Sequence, residues 1–165
     1  MATTTKHVTR KGKTKSSRSR TSKASASRAR PHYTKLIGVD AKNTLDLVKH
    51  VERGLSFTVV EALQQHMKLP AKEMSRLLDI KLRTFLRRKE EGRLQPSESD
   101  RVLRTSRLFA RATDLFDGNA DAARDWLMSP QRALGGAVPV DIAKTEVGAR
   151  EIENIIGRLE HGVFT

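Results

Sequence analysis

Five basic residues fall within nine positions (Lys81, Arg83, Arg87, Arg88 and Lys89), with Thr84 among them. A guanidinium can grip a guanine edge through two hydrogen bonds, while threonine and lysine hold phosphate or base edges. In the same stretch Leu82, Phe85 and Leu86 recur at i, i+3, i+4, which predicts a helix with one apolar face and one basic face. Behind Pro70, Met74, Leu77 and Leu78 repeat that spacing, and only Asp79 and Ile80 separate the two runs. Two short helices joined by so tight a break suit a helix-turn-helix reader of DNA. An ordinary solvated basic face is the alternative. Such units usually carry a small residue in the first helix and glycine in the turn, where this chain has Met74 and Asp79. That departure leaves room for a degenerate, weakly binding version.

Other chemistry finds little to work with. There is no cysteine, which excludes disulfides, thiolate metal sites and a cysteine nucleophile. None of the five histidines (His7, His32, His50, His66, His161) is spaced as a metal pair or stands beside an obvious carboxylate partner. Gly135 and Gly136 lack the Lys-Ser/Thr that would follow in a phosphate loop. Asp121 and Asp125 stand at i, i+4, a spacing most often seen in solvated surface charges. The expectation is no catalytic residue, no metal site and no cofactor. No apolar run approaches a membrane span and no secretory segment opens the chain, so a soluble cytoplasmic protein is expected.

The elements that must position the basic helix follow from composition. Only 4% of the 165 residues are aromatic, so the core must be built from Leu, Ile, Val and Ala. The net charge of +13 is uneven: residues 1–35 carry 11 Lys and Arg and no acidic residue, residues 36–95 sum to +4 and residues 96–165 to −2. Such asymmetry suggests one end that meets polyanions and another that meets something else. With almost nothing apolar to bury, residues 1–35 are expected to be a disordered basic tail. It suits an arm that gains affinity for DNA by counterion release, resembles a Ser/Arg-rich organellar transit peptide, or is simply solvated.

Residues 43–53 predict a helix with Leu45, Val48 and Val51 three apart, closed by Gly54. Thr58-x-x-Glu61 has the form of a capping box, with Phe57 as a hydrophobic staple and Val60, Leu63 and Met67 on the buried side. After a hinge at residues 92–96, Ser97-x-x-Asp100 offers a cap for a long helix carrying Val102, Phe109, Ala112 and Phe116, ended by Gly118 and Asn119. Ala123, Trp126 and Leu127 form the stripe of a short helix that Ser129-Pro130 ends. Gly135 and Gly136 then turn the chain, Pro139 fixes φ at the next entry, and Asp141 and Ile142 begin another short turn. Thr145 can cap a last helix with Ile152, Ile155, Ile156 and Leu159 on one face. Gly148 and Gly157 are poor helix formers, expected where another backbone comes close. Gly162 ends that helix, and Val163, Phe164 and Thr165 either pack on their own domain or reach into a partner. Trp126, the only tryptophan, is either a core anchor or a contact for a partner.

The predicted fold is all-α, with a helix-turn-helix-like bundle for DNA binding and dimerisation over residues 36–95 and a small helical domain over residues 96–165. Residues 101–163 resemble the C-terminal toxin-binding domain of the Xre/MbcA/ParS-type antitoxins, which pair with RES-domain toxins. The resemblance rests on Ser99-Asp100-Arg101, Ala112, Leu115-Phe116, A-x-x-W-L-x-x-P-x-x-x-L-G-G-x-x-P from Ala123 to Pro139, T-x-x-G-A from Thr145 to Ala149, and Leu159 with Gly162-Val163. Residues 69–94 are similar to the Xre-like helix-turn-helix of these antitoxins, particularly in Thr84-Phe85-Leu86-Arg87-Arg88-Lys89 and Gly92-Arg93-Leu94-x-x-x-Glu98-Ser99-Asp100-Arg101.

The resemblance implies a type II antitoxin. Its C-terminal domain would block a RES-domain toxin that consumes NAD, degrading it or transferring ADP-ribose, so that the cofactor belongs to the partner. Its helix-turn-helix would repress its own operon by binding operator DNA through Lys81, Arg83, Thr84, Arg87, Arg88 and Lys89. The protein would act as a homodimer or a larger hetero-oligomer with toxin. Toxin contact is expected at Trp126, Leu134, Gly135, Gly136 and Gly148, and along the last helix from Arg158, Glu160, His161 and Gly162 to Val163 and Phe164. If the C-terminal segment entered the toxin's pocket, Arg158, Glu160 and His161 would meet groups that otherwise hold NAD. The competing view is a stand-alone helix-turn-helix regulator whose C-terminal half only dimerises.

Overall fold

The structure, a computed structural model, describes residues 1, 2 and 32–162, and within them the chain is helical with no β-strand. The helices are α1 (His32–Leu36), α2 (Thr44–Glu52), α3 (Thr58–Met67), α4 (Ala71–Leu77), α5 (Leu82–Glu91), α6 (Pro96–Leu115), α7 (Ala120–Met128), α8 (Pro139–Ile142) and α9 (Glu146–Glu160). A single 3₁₀ turn, Arg132–Leu134, joins α7 to α8. The expected disorder of the basic tail concerns residues that lie mostly outside those described. At its end the expectation changes: residues 32–35 belong to α1, where Thr34 is fully buried, and Ile37, Val39 and Ala41 follow into the core.

The 20-residue α6 is the column of the molecule, about 30 Å long, and α1, α2, α3, α7 and α9 all pack on it. Val102, Phe109 and Ala112 are buried along it as their spacing predicts. One apolar cluster runs from Ile37 through Leu63, Met74 and Phe85 to Ala123, Leu127, Ile152 and Ile156 without a break at α6. On α9 the stripe Ile152, Ile155 and Ile156 is buried as expected. On α2 the expected stripe is not the buried one: Leu47 enters the core, while Leu45 and Val48 are exposed.

Cap chemistry differs from expectation in two places. At Thr58 no capping box forms: its hydroxyl donates to Ser56 Oγ at 3.0 Å. The Phe57 N–H reaches Gly92 O at 2.9 Å, and the Phe57 ring meets Phe85 edge-on at 5.2 Å. The long helix starts one residue earlier than Ser97, at Pro96, and Glu98 reaches back to the Gln95 N–H at 2.7 Å. Thr145 does cap α9, accepting the Gly148 N–H at 3.1 Å. Of the two helical glycines, only Gly148 faces a backbone: a Cβ there would lie 1.9 Å from Ile142 O, whereas one at Gly157 would meet nothing within 4 Å.

Between α6 and α9, arginines converge on carboxylates. Arg104 pairs with Asp100 and with Glu146 at 3.2 Å, and donates to Lys144 O at 2.8 Å. Arg107 spans Glu146 and Glu153, and Arg150 adds a third cation to Glu146 at 3.2 Å. Burial alone would raise the Glu146 carboxyl, but Arg150, Arg107 and Arg104 outweigh it and hold it below its ordinary value of 4.5. A carboxylate lowered on folding contributes stability that is present above its unfolded pKa and lost as pH falls through the folded one.

Two outcomes are expected from equilibrium urea unfolding. Stability falls as pH drops below about 4.5, and Glu146→Gln both lowers stability at pH 7, by on the order of 1 kcal/mol after solvent screening, and flattens that acid decline. Gly148→Ala costs more than about 2 kcal/mol at every pH, because its methyl must displace the Ile142 backbone. An unchanged Gly148→Ala midpoint would contradict the close approach of α8 to α9.

Candidate nucleic-acid and toxin interfaces

The pair α4 and α5 has helix-turn-helix geometry, and its departures from the usual sequence are accommodated locally. The first helix does bury a small residue, Ser75, next to Met74; its hydroxyl donates back to Lys72 O at 2.8 Å. The residue at the usual glycine position, Asp79, adopts φ +51°. The Ile80 N–H then reaches Ser75 O at 2.8 Å and the Asp79 N–H reaches Arg76 O at 3.1 Å, the paired bonds of a Schellman stop. Asp tolerates the left-handed region better than most residues, so this turn needs no glycine. Arg101 of α6 secures it from below, its guanidinium donating to Asp79 O at 2.6 Å.

The basic residues of α5 divide into two groups. Lys81 and Arg83 are exposed and make no ion pair among the described residues; Arg87 is exposed with Glu91 at 3.6 Å, and Lys89 with Glu61 at 3.3 Å. Thr84 is half-buried on the same helix. Arg88 departs from its expected place on the outward face. Its side chain is only 11% exposed, held by Glu98 at 2.8 Å and Glu91 at 2.6 Å. These hydrogen bonds, Glu98 first, raise its guanidinium further above its usual range. A guanidinium so engaged is a structural tie between α5 and α6, and phosphate would have to compete with two carboxylates for it. The expected apolar face also differs: Phe85 is buried, but Leu82 is 40% and Leu86 46% exposed.

In the C-terminal half, Ala123 and Leu127 are buried and Trp126 is half-buried against the core. The Trp126 carbonyl accepts from Gln131 Nε2 at 2.8 Å, which anchors the following loop. That loop closes on itself through Gln131 N–H to Ala137 O and Gly136 N–H to Gln131 O, both 3.0 Å. Gly135 and Gly136 take φ +63° and +88° and stand exposed with nothing near a Cβ, so glycine is needed there for backbone conformation, not for space. Leu134 is half-buried beside them. Gly148 is buried beneath Ile142 and offers no surface, which takes it out of any contact set. At the end of α9, Arg158 pairs with Glu151 at 3.2 Å and Glu160 with Arg111 at 3.4 Å, while His161 and Gly162 are exposed. Val163 and Phe164 lie outside the described residues.

The carboxylates Asp121 and Asp125 are ion-paired: Asp121 with Lys68 at 2.7 Å and Arg124 at 2.8 Å, Asp125 with Arg124 at 2.8 Å. The Lys68 hydrogen bond is the main cause of a lowered Asp121 carboxyl. No helix among the described residues is long and apolar enough to cross a membrane.

Fold and surface together define a helix-turn-helix protein with a second helical unit built onto its last long helix. Comparison with known proteins agrees in both halves. Residues 46–107 match the antitoxin Xre-like helix-turn-helix domain, and residues 111–162 match the antitoxin Xre/MbcA/ParS C-terminal toxin-binding domain. The chain is 37% identical over 130 residues to an antitoxin Xre of Yersinia enterocolitica, covering 78% of this chain and 88% of the relative. It is 34% identical over 116 residues to an antitoxin Xre of Photorhabdus laumondii, covering 70% and 78%. A more distant relative is the Prs ADP-ribosylating antitoxin of a Sphingobium species, 22% identical over 129 residues, covering 73% and 81%. The chain belongs to the Xre/MbcA/ParS antitoxin family. It is the antitoxin of a toxin–antitoxin system, and its partner is a toxin.

The division among the arginines is measurable. Arg88→Ala strands Glu98 in a buried position and costs roughly 2–3 kcal/mol in thermal or urea unfolding, whereas Arg83→Ala changes stability by less than about 0.5 kcal/mol. Equal losses would mean that Arg88 is not the inward tie described.

Proposed function

We propose that this antitoxin blocks a RES-domain toxin that consumes NAD and represses its own operon by binding operator DNA. The observation that carries the DNA half is the outward charge of Lys81 and Arg83, which make no ion pair among the described residues, joined by Arg87, on a second helix whose turn is fixed from α6. Helices so held enter the major groove, where arginine reads guanine and lysine neutralises phosphate. Lys89, engaged with Glu61, and half-buried Thr84 stand at the margin of that face.

The toxin half is supported by the matched toxin-binding domain and by exposed groups at the end of α9. Arg158, His161 and Gly162 point that end outward, and a short apolar segment follows in sequence. The exposed loop at Gly135 and Gly136 offers backbone to the same partner. The name of the Sphingobium relative refers to ADP-ribosylation, which accords with a toxin acting on NAD. The cofactor is the toxin's, and blocking requires only that this chain occupy or cover the toxin's pocket.

The test is neutralisation by the full chain and by a chain ending at Leu159, each co-expressed with the toxin gene beside it. The shortened chain is expected to fold with an unchanged helix signal yet fail to suppress NAD loss in the cell. Full neutralisation by the shortened chain would move the blocking surface away from the C-terminal segment. A partner gene whose product does not affect NAD would overturn the RES assignment.

A further inference from the structure

The outward face of α5 is not uniformly basic. Leu82 and Leu86, one helical turn apart, are 40% and 46% exposed, and with Arg83, Thr84, Arg87 and Glu90 they border one open depression. The same helix buries Phe85 fully, and Leu82 and Leu86 form the outward margin of its apolar stripe. The residues flanking them set what they can meet. Arg83 and Arg87 border the same depression, and like charges set against each other across an interface repel. A second copy of this chain would bring the same two arginines against them. The B-DNA major groove is the surface that combines anionic walls with an isolated apolar group, the C5 methyl of thymine.

We propose, resting on the DNA-binding function above, that Leu82 and Leu86 read thymine methyl groups in the operator, between guanines held by Arg83 and Arg87. A leucine covering a methyl removes both from water and favours thymine over cytosine at that position without any hydrogen bond. Four residues of helical rise, about 6 Å, separate the two side chains by between one and two base steps. Glu90 borders the same depression, and in the groove its carboxylate can accept from a cytosine amino group.

The experiment measures binding of the full-length protein, by fluorescence anisotropy, to its own promoter duplex and to the same duplex with thymine replaced by deoxyuridine. Uracil keeps the hydrogen-bonding pattern and lacks only the methyl. The wild-type protein is expected to bind the uracil duplex more weakly, by about fourfold for each contacted methyl. The doubly substituted variant Leu82→Ala, Leu86→Ala is expected to bind the thymine duplex as weakly as the wild type binds the uracil one, and to distinguish the two no longer. Equal wild-type affinity for both duplexes overturns the proposal and leaves DNA binding standing. So does undiminished discrimination by the double variant, or a change in its sedimentation that assigns the leucines to a second copy. Failure of the wild type to bind either duplex overturns the DNA-binding function itself and this inference with it.

Discussion

The first turns of α6 hold the two halves of the molecule in register, through three side chains that each satisfy a group on the helix-turn-helix half. Glu98 receives Arg88 of α5 and the Gln95 N–H; Ser99 accepts the Leu55 N–H at 2.8 Å while donating to Gln95 O; Arg101 donates to the α4–α5 turn. Glu98 and Ser99 are buried, so each is an exacting position: a carboxylate or hydroxyl there is tolerated only because its partners are present. Remove the start of α6 and α5 loses its inward tie, the turn loses its support, and the loop before α3 loses a backbone partner. The outward cations of α5 are oriented by what its inward side is bonded to.

This constraint reassigns much of what made the sequence recognisable. Ser99 and Arg101 stand out as part of a motif, and both turn out to be internal braces. Thr145 caps α9, Gly148 admits the Ile142 backbone, and Ala149 is fully buried, so that motif describes a helix start packed tightly against α8. Ala123 and Leu127 are core. What remains for a partner is what the packing does not use: the Gly135-Gly136 loop, one side of Trp126 and the end of α9. A family signature in this domain is chiefly a record of its architecture.

The helices were legible because their apolar residues recur at helical spacing and their ends carry glycine, proline or a capping threonine. Spacing located α4, α5, α7 and α9 and most of the core of α6. It could not choose between two apolar faces on one short helix. Leu45 and Val48 have the spacing on α2, yet Leu47 is the one buried; Leu82, Phe85 and Leu86 share it on α5, yet only Phe85 is buried. That choice is made by the neighbouring helix, which no local pattern contains. Arg88 was misplaced for the same reason, since its partner Glu98 lies beyond a hinge and on another element. Asp79 looked like a defect only because the Schellman bonds and Arg101 that stabilise its φ are not written beside it.

The continuity of the core at α6 bears on how the two proposed activities coexist. Val102, Leu108, Phe109 and Ala112 on this one helix pack into a single cluster reaching Met74 and Phe85 on one side and Ala123, Ile152 and Ile156 on the other. Arg104 and Arg107 of α6 are bridged to Glu146 and Glu153 of α9, and α6 also carries Arg101, which holds the α4–α5 turn. Such packed helices transmit strain because their interiors are dense and few rearrangements are available. If toxin and operator both bind as proposed, any coupling between them is reciprocal, each altering the other's affinity by the same factor. The physical carrier is one helix, with arginine–carboxylate bridges to α9 on one side and the Arg101 brace on the other.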